Sequence, residues 1–143
     1  MVVSDPVCVR YTPGMPVMFP QRVFVYGTLR RGGRNHRLLQ GASLLGFWTT
    51  PARYTLVDLG GCPGARPGGN ASVRGEVYAV SRRQLMFLDR LEAYPRVYGR
   101  ELVASPFGGA WMYVYRRPGR APVIAGGDWV RARTEQMRAA VFL

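Results

Sequence analysis

Apolar positions along this chain come in short runs punctuated by glycine and proline, the pattern of strands joined by turns. In one stretch the period lengthens to that of an amphipathic helix. Val23, Phe24 and Val25 form an unbroken apolar run, largely β-branched, that predicts a buried strand. Tyr26-Gly27-Thr28 ends that run, Gly32-Gly33 breaks the chain again, and residues 35–40 resume with helical character. Residues 43–48 and 53–57 predict two further strands. Residues 58–70 are so dense in glycine and proline that they predict one long loop, of a length often tied to function. Residues 73–80 alternate as a strand, with Val77 and Ala79 on one face and Glu76 and Tyr78 on the other.

The helical period is clearest after Ser81. Ser81 with Gln84 three residues on makes a capping-box pattern. The helix it opens is expected over residues 85–94, stopped before Pro95. Its apolar stripe is Leu85, Leu88 and Leu91, with Phe87 beside it, and Glu92 falls on the same side. Residues 100–105 and 110–116 predict a hairpin around residues 106–109, with Trp111, Tyr113 and Tyr115 on one face of the second arm. Residues 134–142 predict a short terminal helix. Residues 1–20 hold Pro6, Pro13, Gly14, Pro16 and Pro20, which favours an extended or disordered lead-in. Residues 21–143 are then read as one domain, which at this length holds a real core without staples.

Charge and composition narrow the function classes. The formal net charge of +12 arises from 20 arginines with no lysine. Arginines spread along the chain in this way, with local pairs at Arg30-Arg31, Arg82-Arg83 and Arg116-Arg117, attract anions without specifying one. No nucleic-acid motif accompanies them, so an arginine-rich nucleic-acid binder is the least favoured reading. Cys8 and Cys62 stand far apart, in no metal-ligand spacing, and His36 is the one histidine, so a zinc or iron site is not expected. No apolar run approaches the ~20 residues that span a bilayer. The first ten residues lack the basic start and continuous apolar region of a signal peptide, so the expected setting is cytoplasmic.

Two places carry candidate chemistry. A strand entering a glycine-bearing turn that leads into a helix can aim backbone N–H groups at an anion. The turn at residues 26–29 has that form, although it fits neither the phosphate-loop nor the dinucleotide-binding spacing. The second place is Glu92. At the C-terminal end of a helix, exposed carbonyls disfavour its negative charge, and its apolar side disfavours it further. Both effects raise its pKa toward the range of a general base at neutral pH. The competing reading is a glutamate that reaches out to Arg96 or Arg100. Glu76 and Glu101 are weaker candidates, since glutamates in alternating strands usually face solvent. His36 reads as a helix-start residue, Cys62 as an incidental thiol without a partner base, and Thr28 as a turn residue.

Three stretches together, residues 26–39 beginning Tyr-Gly-Thr-Leu-Arg-Arg-Gly-Gly, residues 75–80 (Gly-Glu-Val-Tyr-Ala-Val) and residues 85–92 (Leu-Met-Phe-Leu-Asp-Arg-Leu-Glu), resemble the gamma-glutamylcyclotransferase-like superfamily. Within it, the gamma-glutamylamine cyclotransferases and small bacterial relatives are nearest. The likeness runs from about residue 23 to residue 129. It implies an α+β fold, a small mixed β-barrel with flanking helices. It also implies that Tyr26, Gly27, Thr28 and Leu29 hold a glutamyl group through their backbone and that Glu92 is the acid/base. The substrate would be a γ-glutamyl amine or amino acid that closes on itself to 5-oxoproline, with neither metal nor cofactor. Tyr113 and Tyr115, with the loop at residues 58–70, are expected at the rim that contacts the substrate. A non-catalytic domain that binds an anionic metabolite is the alternative.

Overall fold

The computed structural model describes residues 21–141; the lead-in at residues 1–20 lies outside them. Seven strands, β1 (Gln21–Val25), β2 (Ser43–Thr49), β3 (Tyr54–Asp58), β4 (Pro63–Pro67), β5 (Arg74–Val80), β6 (Tyr98–Ser105) and β7 (Gly108–Tyr115), are joined by two helices, α1 (Arg82–Leu91) and α2 (Trp129–Val141). A 3-10 turn, His36–Leu39, follows β1. Five strands form one sheet in the order β2-β5-β1-β7-β6, and β3 pairs with β4 in a separate hairpin. The fold is α+β, as expected. The ladders do not close into a barrel: β2 and β6 remain the two edges of the large sheet, and two isolated bridges from β3, Tyr54 to Ala71 and Val57 to Val123, replace a continuous seam.

β1 is the central strand, antiparallel to β5 and parallel to β7. Its unbroken apolar run follows from that place, because both faces of the sheet are covered. Phe24 joins Val77, Met112 and Val114 on the side that carries the β3–β4 hairpin, Ile124 and Trp129. Val23 and Val25 join Tyr78, Val80 and Tyr113 on the side that carries Leu85 and Leu88 of α1 and Leu39 of the 3-10 turn. A sheet packed on both faces leaves its strand ends and loops as the places for a cavity.

α1 begins with the expected capping box. The Gln84 N–H donates to Ser81 Oγ at 3.0 Å, and the Ser81 N–H donates to Gln84 Oε1 at 2.9 Å. It ends earlier than residue 94, and Pro95 is not the direct cause. The Ala93 N–H donates to the Arg90 carbonyl (3.1 Å) and the Tyr94 N–H to the Asp89 carbonyl (2.9 Å). That is the paired bonding of a Schellman turn, with Ala93 in the left-handed conformation at φ 48° where glycine is the usual choice. Glu92 is therefore the C-cap, outside the helix proper.

Other boundaries differ too. The loop expected at residues 58–70 contains β4, held by its ladder to β3. Helical character at residues 35–40 amounts to the short 3-10 turn alone. The terminal helix starts at Trp129 rather than residue 134, because Asp128 Oδ1 accepts the Arg131 N–H at 3.1 Å and caps it. Glu76 does not face solvent: it is 2% exposed. The alternation along β5 is as expected, but the face bearing Glu76 and Tyr78 is buried as well. No helix among the described residues is long and apolar enough to cross a membrane.

Candidate active site

Where β1 ends, the chain turns sharply. The Arg30 N–H donates to the Gly27 carbonyl at 3.0 Å, the Gly33 N–H to Arg30 at 2.8 Å, and the Asn35 N–H to Thr28 at 3.1 Å. Asn35 Nδ2 also donates to Thr28 Oγ1 at 2.9 Å, so Thr28 serves the turn, as its residue type suggested. These bonds use the carbonyls of Gly27 and Thr28. The N–H groups of Gly27, Thr28 and Leu29 donate to nothing among the described residues. Buried N–H groups are seldom left open, and a row of them is the usual signature of an anion cradle. Glycine at position 27 is required by space, since a Cβ there would lie 2.6 Å from Cδ of Pro63.

The turn lines a cavity of about 160 Å³. Phe24, Val25 and the turn from Tyr26 to Leu29, with Arg34 and Asn35, form one part of its wall, Leu91 and Glu92 at the end of α1 another, and Cys62, Pro63, Tyr98 and Tyr113 the rest. β4 is built into that wall by two phenols. Tyr98 donates to the Pro63 carbonyl at 2.8 Å. Tyr26 accepts the Ala65 N–H at 3.0 Å and donates to the Tyr113 carbonyl at 2.7 Å, tying β1, β4 and β7 together. Burial raises the pKa of Tyr26, Tyr98 and Tyr113 above the ordinary phenol value, so all three stay protonated.

Glu92 is partly buried, and loss of hydration raises its pKa from 4.5 to about 7. It makes no ion pair among the described residues. Arg100, one of the two arginines that could have neutralised it, is engaged elsewhere. Its guanidinium lies 3.5 Å from Asp89 Oδ1 and is stacked between the Tyr94 and Trp111 rings at 4.6 and 4.7 Å. The Tyr113 hydroxyl donates to the same Asp89 oxygen at 2.7 Å. Asp89 thus engages Arg100 one turn before Glu92, while Arg34, the cation on the cavity wall, donates to the Gly61 carbonyl at 2.6 Å.

The structure brings Tyr26, Gly27, Thr28, Leu29, Tyr113 and Glu92 to one cavity. Tyr115 is not on its lining. Its ring packs against Tyr98 at 5.4 Å and under Arg66 at 5.0 Å, so it backs the wall instead of forming it. His36 is also outside, with Nδ1 2.9 Å from the Leu29 carbonyl. A carbonyl only accepts, so Nδ1 carries the hydrogen and the ring pins the turn. Cys62 and Pro63 are lining residues that the loop reading located only as part of a long segment. Nothing in their residue types marks them, since the wall is made by the pairing of β4.

The match to known proteins covers most of this architecture. Residues 23–131 match the family model described as gamma-glutamyl cyclotransferase, AIG2-like. The Escherichia coli gamma-glutamylcyclotransferase family protein YtfP is 44% identical over 110 residues, covering 76% of this chain and 96% of that protein. Human gamma-glutamylaminecyclotransferase is 42% identical over 90 residues, 57% of this chain and 59% of that protein. An uncharacterized protein of Pyrococcus horikoshii has a crystal structure that superposes with a TM-score of 0.73 at 30% identity, covering 82% of this chain and 97% of that one.

Proposed function

The chain belongs to the gamma-glutamyl cyclotransferase, AIG2-like family, and from that premise we propose that it converts a γ-glutamyl amine or amino acid into 5-oxoproline and a free amine. The observation that supports this most is a single one. A carboxyl whose pKa burial pushes up to about 7 shares a small cavity with Gly27, Thr28 and Leu29, whose backbone N–H groups donate to nothing among the described residues.

The chemistry fits those parts. The α-amine nitrogen attacks the γ-carbonyl carbon of the same glutamyl unit, a five-membered lactam forms, and the bond to the departing amine breaks. Ring closure gains from a geometry that holds nitrogen and carbonyl together, which a narrow cavity supplies. The Gly27–Leu29 amides hold glutamyl oxygens, either the α-carboxylate or the oxyanion that develops on the γ-carbonyl. Ionised Glu92 takes a proton from the attacking amine and returns it to the departing one. A pKa near the working pH serves both directions, since each form is well populated. The protonated phenols of Tyr26, Tyr98 and Tyr113 wall the site without competing for that proton. The name of the human relative points toward γ-glutamyl amines as the substrate class.

The test is release of 5-oxoproline from a panel of γ-glutamyl amines and γ-glutamyl amino acids by the purified chain. Turnover of at least one class is expected. Thermal stabilisation by these compounds without turnover would instead make the chain a binding domain for an anionic metabolite.

A further inference from the structure

Directly behind the turn lies a buried charge network that the proposed reaction does not use. Glu76, on β5, accepts three hydrogen bonds: from Arg30 Nε at 3.2 Å, from the backbone N–H of Arg31 at 3.0 Å, and from the Tyr78 hydroxyl at 2.7 Å. Arg30, itself 7% exposed, extends Nη1 to Asp128 Oδ1 at 2.8 Å. Asp128 is also the residue that caps α2. Three distant parts of the chain therefore meet at Arg30 and Arg31, immediately after the last open amide of the turn.

Burying ions in this way is an expensive means of holding a fold together, because lost hydration offsets much of the attraction and an apolar pair often does as well. What an apolar pair could not do is grip the main chain. Glu76 binds a backbone N–H of the loop, and Arg30 fixes the next residue's direction through two carboxylates. Arg30 in turn donates its own N–H to Gly27, closing the loop on which the open amides sit.

We propose that Glu76 and Arg30 are positioning residues, setting where the Gly27–Leu29 amides point and so the affinity of the site for a glutamyl group. This inference rests on the reading of the turn as the glutamyl cradle. Glu76 keeps that cradle in register without touching substrate, and Arg30 cancels its negative charge so that it does not repel the anion bound nearby.

The experiment compares the parent with Glu76→Gln, measuring KM and kcat for 5-oxoproline release and the Kd of 5-oxoproline itself. Gln matches Glu in size but presents an N–H₂ that cannot accept from Arg30. KM and product Kd are expected to rise roughly 10- to 100-fold, the scale of a displacement of about an ångström. The pH midpoint of kcat should stay near 7, because Glu92 is untouched. A lower melting temperature with KM and Kd within twofold of the parent would overturn the proposal and leave the network a scaffold. If Glu76→Gln does not fold, Asp128→Asn at the outer end of the network takes its place. It should move KM and Kd the same way by a smaller factor, and no change in either overturns the proposal. A parent that neither turns over nor binds 5-oxoproline would overturn the proposed function first and this inference with it.

Discussion

Replacing Glu92 by Gln is expected to lower kcat for 5-oxoproline release by ~10²–10⁴-fold, the usual weight of a positioned acid/base, while the fold survives. The same variant should be more stable than the parent at neutral and alkaline pH. The sign follows from the direction of the shift. Below about pH 4.5 the carboxyl is neutral both folded and unfolded and makes no difference. Between 4.5 and about 7 the unfolded chain ionises while the folded chain holds its proton, so the parent loses stability as pH rises. Above 7 the loss levels off at no more than about 3 kcal/mol, reduced by whatever hydration the exposed edge of Glu92 recovers. Gln carries none of this pH dependence. Denaturant unfolding of both proteins at pH 4 and pH 8 measures the difference, and parallel stabilities at the two values would remove the buried carboxyl.

The second large effect is expected at Gly33. A Cβ there would run into the Thr28 carbonyl and come within 2.9 Å of the Arg30 carbonyl, both backbone atoms that cannot rotate away. Gly33→Ala therefore forces open the loop that presents the amides of Gly27, Thr28 and Leu29. A loss of about 3 kcal/mol is expected, a fall in melting temperature of roughly 10 °C for a domain of this size, with KM raised further than by any change at the cavity rim. Melting and kinetics on one preparation decide it. A variant with parental melting temperature and KM would mean that the turn is not a rigid cradle.

How much of this was legible in the sequence depends on how local the cause is. The run Val23 to Val25 announces a buried strand because both its faces meet apolar layers. The box of Ser81 and Gln84 announces a helix start because its partners are three residues apart. Glu92 could be singled out because a helix end and an apolar side are local properties. β4 could not. Pro63, Gly64, Ala65, Arg66 and Pro67 carry no strand preference of their own, and the strand exists because β3 pairs with it and the Tyr26 and Tyr98 hydroxyls bind it. Burial of Glu76 is hidden from the sequence for a related reason. Its alternation is that of a solvent-facing residue, and the arginine that makes burial tolerable lies 46 positions away. The start of α2 at Trp129 does carry a local signal: Asp128 stands where an N-cap belongs.

The claim on which the rest depends is that one carboxyl at the end of α1 carries the proton. The pH dependence of kcat meets it most directly, measured from pH 5 to pH 9 with a γ-glutamyl substrate the parent turns over. An acid limb centred near pH 7 is expected, set by the ionisation of Glu92. A limb near the ordinary carboxylate value of 4.5, or a profile that Glu92→Gln reproduces at parental rate, would contradict it.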